Sequence, residues 1–287
     1  MSVPDWRLPR GVSRSVWEFA HDRSIASEED RHLAGAPLLD FDHDAVTRWF
    51  TIPGRLLDLG CGTGRSLVDF SHRGFECVGV DLSRESLAVA AERTANAGAP
   101  VVLLQANLCE LGCLQSGQFD YALLLFGTLG MVSGRGNRRQ VLEDVRRLLK
   151  PGGLLALHVH NLWRHLHSPP GRRWLARDLF RRLAGHPAAG DTEHDYRGIP
   201  RMYHHSFTRG EIRRLLCDCG LQIREMIPLA PLDHRDVGAA AGASLDTPDL
   251  RCRGWFSNFQ ATGWLILAEA SSSEGPAAPR RQPPFLT

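Results

Sequence analysis

The sequence predicts an α/β protein with a doubly wound, mostly parallel seven-stranded sheet. Three observations carry this reading. From Arg55 onward, short apolar runs ending in Gly or Asp alternate with segments of helical period. The first run breaks into a glycine turn that opens a helix. Residues 1–54 show no strand alternation, and Ala45, Val46, Trp49 and Phe50 recur at helical spacing, so this stretch forms a helical N-terminal cap.

The strand-like runs are Arg55 to Leu59, Glu76 to Val80, Val101 to Gln105, Phe119 to Leu125, Gly153 to Val159, Leu221 to Ile227 and Thr262 to Ala268. The helices between them have local causes. Ser83 caps one that carries Leu87, Ala90 and Ala91. Val141, Leu142, Val145, Leu148 and Leu149 form an apolar stripe that stops at Pro151-Gly152-Gly153. Thr208 and Glu211 make a capping box, Phe207 and Ile212 can staple it, and Gly220 supplies the stop. The main domain thus covers 55–270. Residues 161–201, after the fifth strand, hold eight arginines against four acids and are too long for an ordinary crossover, so they read as an inserted lid or substrate element. A Gly/Ala-rich loop is expected at 238–243 and a disordered tail at 271–287.

Composition excludes several classes. With 287 residues, 43% apolar, the chain can bury a full core, and no apolar run approaches the roughly 18 residues of a membrane span. The opening MSVPDWRLPRG lacks the apolar stretch of a signal peptide, so a soluble cytoplasmic protein is expected. Seven cysteines without a C-x-x-C spacing argue against a disulfide framework or zinc ribbon. A net charge of +2 argues against a surface built wholly for nucleic acid. Lys150 is the only lysine, so arginine clusters reflect a compositional bias more than phosphate recognition.

The most informative segment is Leu56-Leu57-Asp58-Leu59-Gly60-Cys61-Gly62-Thr63-Gly64. Its glycines let backbone approach a ligand where a Cβ would intrude. In a dinucleotide fingerprint the third glycine would fall where Arg65 stands. Asp58 at the mouth would repel phosphates and suits a ligand with positive charge. Asp81 ends the second strand, where a carboxylate can accept both ribose hydroxyls. The pattern is that of a nucleoside-shaped site for a cation.

Residues 55–160 resemble the class I S-adenosylmethionine-dependent methyltransferase domain, of the type acting on small molecules. The resemblance rests on the glycine motif, Asp81, Asn107-Leu108, the Phe119-Asp120 strand start and the Leu149-Lys150-Pro151-Gly152-Gly153 turn, in the family's order. It implies a Rossmann-like fold and S-adenosyl-L-methionine as cofactor. It further implies that Gly60, Cys61 and Gly62 line the methionine portion, Asp58 faces its amino group, Asp81 with Leu82 takes the ribose, and Asn107 and Leu108 flank the adenine. Phe126, at the end of the fourth strand, completes the set. Asn107 departs from the family's usual Asp, and its amide can still accept and donate.

Such a cofactor carries its own leaving group, so the protein need only align a nucleophile and exclude water. The acceptor belongs beyond the carboxyl ends of the strands, near Phe126-Gly127-Thr128 and His158 to Asn161. His160 is the first candidate for a general base. Tyr203 and His204, in the run Arg201 to His205, form a second group that could hold an acceptor or, with Arg201, an acidic group; this run loosely resembles a segment of the tRNA wobble-uridine carboxymethyl methyltransferases. The histidines lack the paired spacing of a zinc site, so no metal is expected.

The leading expectation is methyl transfer to a small-molecule acceptor at oxygen, with no membrane partner. Nucleic acid is the less favoured partner: the tRNA alternative rests on Arg172, Arg173, Arg177, Arg181 and Arg182. A third reading, a non-catalytic S-adenosylmethionine-binding protein, would show the two acids without an acceptor cavity.

Overall fold

The computed structural model describes residues 3–33, 37–230 and 257–271; the loop expected at 238–243 and the tail expected beyond Ser271 lie outside them. The main sheet contains β1 (Arg55–Leu59), β2 (Glu76–Asp81), β3 (Val101–Gln105), β4 (Phe119–Leu124), β5 (Leu149–His160), β8 (Leu221–Leu229) and β9 (Gly263–Ala270). Its order is β3-β2-β1-β4-β5-β9-β8. Strands β1 to β5 run parallel, and β9 is antiparallel to both β5 and β8. The sequence order reverses between β1 and β4, so the carboxyl ends of these two strands flank the crevice where such sheets take ligands.

The first strand is buried along Leu56 to Leu59, as the central strand of a two-faced sheet must be. Below it, Lys150 Nζ donates to both Asp120 oxygens at 2.7 and 2.9 Å, and the Arg55 amide donates to Asp120 Oδ2 at 2.9 Å. These contacts join the starting ends of β1, β4 and β5, opposite the crevice.

The connecting helices form for the local reasons read from the sequence. The Ser86 amide donates to Ser83 Oγ at 3.1 Å, at the start of α5 (Arg84–Asn96). The stripe Val141, Leu142, Val145 and Leu148 of α7 (Arg135–Leu148) is fully buried against the sheet. The capping box of Thr208 and Glu211 starts α9 (Arg209–Asp218), with Phe207 and Ile212 both buried beside it. The first glycine turn leads into α4 (Arg65–His72), and Gly127 into the short α6 (Thr128–Met131).

The N-terminal cap is helical, with α1 (Arg14–Ala20), α2 (Arg23–Leu33) and α3 (Pro37–Trp49). Helix α3 buries Phe41, Ala45 and Val46 in one core cluster with Leu56 and Phe70. It also brings Asp42 to β5, where His158 Nδ1 donates to Asp42 Oδ2 at 2.6 Å, both side chains being fully buried.

The insertion expected at 161–201 is built of regular elements and continues to His205. It holds a 3-10 helix (Leu162–His167), α8 (Pro169–Leu183) and an antiparallel hairpin of β6 (Asp191–Tyr196) and β7 (Ile199–His205). The two-residue turn is Arg197-Gly198, with φ of 49° and 81°, as a primed turn requires. The hairpin is fixed by buried polar contacts. Arg138, 2% exposed, donates to the Tyr203 hydroxyl at 3.0 Å, and that hydroxyl donates to Asp191 at 2.9 Å. His205 lies between Asp191 and Glu211, at 2.6 and 2.8 Å. Burial alone would raise the Glu211 carboxyl, but the hydrogen bond and charge of His205, with Arg182, bring it down to about 2.

The Asp42–His158 pair yields a stability prediction. His158→Leu leaves a buried carboxylate without its partner and should cost about 3–5 kcal/mol in urea denaturation. Adding Asp42→Leu should recover most of that loss, because an apolar pair of similar volume needs no counter-charge. A double variant as unstable as the single one would show that the pair is not the coupling between α3 and β5.

Candidate active site

A roofed cavity of about 400 Å³ lies over the carboxyl ends of β1, β2, β4 and β5, within the size range of small-molecule pockets. Its floor at one end is the glycine turn. Gly60 and Gly62 take φ of 79° and 52°, which favour glycine, and a Cβ on Gly60 would stand 2.7 Å from Thr128 Cγ2. The amides of this turn are engaged within the protein. Those of Gly60 and Cys61 donate to the Val80 carbonyl at 2.8 and 3.1 Å, and that of Gly62 donates to Asp81 Oδ2 at 2.8 Å. A diphosphate would therefore find none of these three N–H groups aimed at it, which is the physical reason the turn differs from a dinucleotide loop.

The carboxylates of this end are buried. Asp58 is 5% exposed, and burial, with the Asp81 charge nearby, pushes its carboxyl up to about 7. Among the described residues no donor or cation pairs with it. Asp81 is likewise raised by burial, against the hydrogen bonds from the Ser83, Gly62 and Leu82 amides. Glu29 of α2, also raised by burial, adds a third carboxylate, 3.8 Å from Arg65. Glu29 is answered by Arg65, which also lines the cavity, whereas Asp58 has no such partner and calls for a cationic ligand.

Sequence reading placed Asp58, Gly60, Cys61, Gly62, Asp81, Leu82, Asn107, Leu108 and Phe126 at this cavity, and all of them line it. The Asn107 side chain, however, is already engaged: it donates to the Arg10 carbonyl at 2.9 Å and accepts from the Cys109 amide at 3.1 Å. Its amide braces the N-terminal segment, so an adenine would meet the residue rather than a vacant amide. Burial pushes the Cys61 thiol far up, which suits a packing residue rather than a nucleophile. Phe126 takes φ of 54°, a costly conformation for an aromatic residue, and its ring borders the cavity.

The other end is walled by β5, α6, the cap and the hairpin. His160 and His204 border it with ring centroids 4.5 Å apart. Arg164 Nη1 lies 2.6 Å from His160 Nδ1; a guanidinium can only donate, so Nδ1 accepts and the ring proton is on Nε2. His204 Nε2 lies 3.3 Å from the Gly127 carbonyl, which can only accept, so its proton is also on Nε2 and the lone pair is at Nδ1. Burial, then neighbouring cationic groups, keep both imidazoles well below their ordinary titration range. His160 thus presents an N–H to the cavity, which corrects its expected role as base.

His158 stands off the cavity on Asp42, and Tyr203 lines it with its hydroxyl held by Arg138 and Asp191. Arg201, expected beside Tyr203, points to Glu193 on the exposed face of the hairpin at 2.6 Å and does not line the cavity. Nor do Arg172, Arg173, Arg177, Arg181 and Arg182, all on α8. Sequence reading missed Glu29, Val16 and Phe19 from the cap and His194 and Tyr196 from the hairpin. Only the hairpin had a local signal, its Arg197-Gly198 turn. Among the described residues no group of His, Cys, Asp or Glu is arranged to hold a metal ion.

Residues 56–153 match the family model of the methyltransferase domain. Over these residues the chain carries a methyltransferase domain. It is 32% identical over 143 residues to the Bacillus subtilis protein named "Putative methyltransferase YqeM", covering 48% of this chain and 55% of that one. It is 29% identical to a ubiquinone biosynthesis O-methyltransferase of Caulobacter vibrioides, over 55% of this chain and 58% of that one. The chain therefore spans little more than half the length of these curated relatives. A methyltransferase structure from Methanosarcina mazei superposes with a TM-score of 0.60 at 19% identity, over 80% of this chain and 98% of the other, which supports the fold. The cofactor of this domain class fits the residues present: its positive charge answers the partnerless Asp58.

Two outcomes test this end of the cavity. Asp81→Ala should weaken S-adenosylmethionine binding about 10- to 100-fold by calorimetry, the loss of hydrogen bonds to a charged group. Unchanged affinity would remove Asp81 from the site. Because the Asp58 carboxyl is raised to about 7, it is protonated below that pH and must ionise to meet a cation. Affinity should then fall as pH drops below about 7 and level off above it, and Asp58→Asn should flatten the profile.

Proposed function

We propose that this protein transfers the methyl group of S-adenosylmethionine to an oxygen of a small-molecule acceptor enclosed in the roofed cavity. The carrying observation is the polarity of one continuous chamber, with Asp58, Asp81 and Glu29 at one end and His160, His204 and Tyr203 at the other. When bound, the cofactor supplies a methyl on a sulfonium, a leaving group that needs no protonation.

This chain's residues do the rest. Asp58 meets the amino group, Asp81 and Leu82 the ribose, and Asn107 and Leu108 flank the adenine, while Phe126 borders the cofactor from the β4 side. Helix α1 and the hairpin cover the chamber and exclude water, through Val16, Phe19 and Met202. His160 and His204 contact the acceptor, one as donor through Nε2 and the other as acceptor through Nδ1.

Small acceptors are supported by the enclosure and by relatives. The Caulobacter protein is named as an O-methyltransferase of ubiquinone biosynthesis. A structural neighbour, a Burkholderia thailandensis N1-methyltransferase, holds 1,6-didemethyltoxoflavin with S-adenosylhomocysteine. The presence of an acceptor space beyond the glycine turn speaks against a purely cofactor-binding protein, and the position of the α8 arginines outside the cavity speaks against tRNA.

Cell extract incubated with the protein and methyl-labelled cofactor should carry label in its small-molecule fraction. Label confined to RNA would overturn this reading.

A further inference from the structure

The acceptor end has an electrostatic character that the cofactor end does not explain. Arg164, on the 3-10 helix after β5, is half-buried, and its guanidinium is hydrogen-bonded to His160 rather than to an acid; among the described residues no carboxylate pairs with it. The groups acting on His160 are His204 of β7, Arg164, His158 of β5 and His194 of β6, every one of which disfavours a proton on its ring. Of the acids nearby, Asp42 is taken by His158, Asp191 by Tyr203 and His205, and Asp178 and Asp195 act on His165 and His194 rather than on His160. His165 is held by burial and Arg164 at about 4 and is neutral as well. Arg164 therefore supplies the fixed charge at this end, and it acts through the His160 ring, whose Nε2–H has no protein partner among the described residues.

We propose, resting on the methyltransferase reading above, that the acceptor binds as an oxyanion on His160 Nε2–H with Arg164 behind it, beside a hydroxyl or N–H that donates to His204 Nδ1. Two physical arguments lead there. A half-buried cation without an acid, held against the ring that faces the cavity, favours an anion there, as the unpaired Asp58 favours a cation. The second concerns proton transfer. A base whose conjugate acid is destabilised by its surroundings cannot take a proton from a weakly acidic alcohol, each pKa unit of mismatch being about 1.4 kcal/mol. The acceptor hydroxyl must then lose its proton to solvent before or during binding, the O–H pair staying on oxygen. That oxygen bonds the methyl carbon as the carbon–sulfur bond breaks, its pair remaining on sulfur, so an anion and a cation become two neutral products. The substrate class is an acidic hydroxyl, phenolic or enolic, with an adjacent donor. Arg164 is a positioning residue: it sets the His160 tautomer and the local field without lining the cavity.

The probe is 4-nitrocatechol, whose anion is coloured, titrated into the full chain loaded with S-adenosylhomocysteine. Its monoanion should bind at least about tenfold tighter than the uncharged dimethyl ether, and its apparent pKa should fall by about one unit on binding. Arg164→Gln should return that pKa to its solution value while S-adenosylhomocysteine affinity holds, a spectroscopic change that loss of packing alone would not give. His204→Phe should abolish the preference for 4-nitrocatechol over 4-nitrophenol and keep the preference for the anion. Equal binding of the anion and the ether, no binding of 4-nitrocatechol, or an unshifted pKa would overturn the proposal; so would an Arg164→Gln variant identical to wild type. Failure of S-adenosylhomocysteine itself to bind would instead overturn the methyltransferase reading.

Discussion

The desolvation of Asp58 is the constraint from which the rest of the site follows. A carboxylate 5% exposed at the end of the central strand, beside a second buried acid and raised to about 7, is stabilised as an anion when a cation joins it. That requirement makes sense of the neighbouring backbone. The amides of the glycine turn are tied to Val80 and Asp81, so the loop does not gather N–H groups for phosphate. Adenine nucleotides share a nucleoside with S-adenosylmethionine but carry the opposite charge where these acids lie. Discrimination among them is therefore electrostatic rather than steric.

The scaffold holds this arrangement from several directions. The switch in strand order opens the crevice, and Phe126 is forced into a left-handed conformation where β4 meets α6. Close packing there leaves no room for a side chain: a Cβ on Gly130 would sit 2.5 Å from the His204 ring. Behind the hairpin, Arg138, Tyr203, Asp191, His205 and Glu211 form a connected polar network, so β7 presents His204 from a fixed base.

Much of this was legible in the sequence. The seven main strands and the helices between them announce themselves through apolar period, Ser83, the Thr208–Glu211 box and Gly220, because those signals are local. The cofactor end was legible for the same reason, since Asp58, the glycines and Asp81 lie on adjoining strand tips. The acceptor end was not. Glu29 and Phe19 come from helices far away in the chain, and the protonation pattern of His160 depends on Arg164, a residue with no motif around it. His158 and His160 are alike in sequence, and only their partners, Asp42 and Arg164, separate a structural histidine from one that faces the cavity. The hairpin has little apolar alternation to announce it, because β6 is the polar run Asp191–Tyr196.

The roof over the chamber is sewn on unevenly. Helix α3 is anchored through the deeply buried Asp42–His158 contact. The pieces that overhang the cavity are fastened by a small apolar cluster of Val16, Ile25, Ile199 and Met202 and by stitches such as Arg197 to the Ile25 carbonyl at 2.9 Å and the Tyr203 amide to Ser15 Oγ at 2.9 Å. Each such stitch is worth only about 1 kcal/mol in water. Helices α1 and α2 thus lean on the hairpin while α3 leans on the sheet, two attachments that share no residue, which makes the roof separable from the foundation.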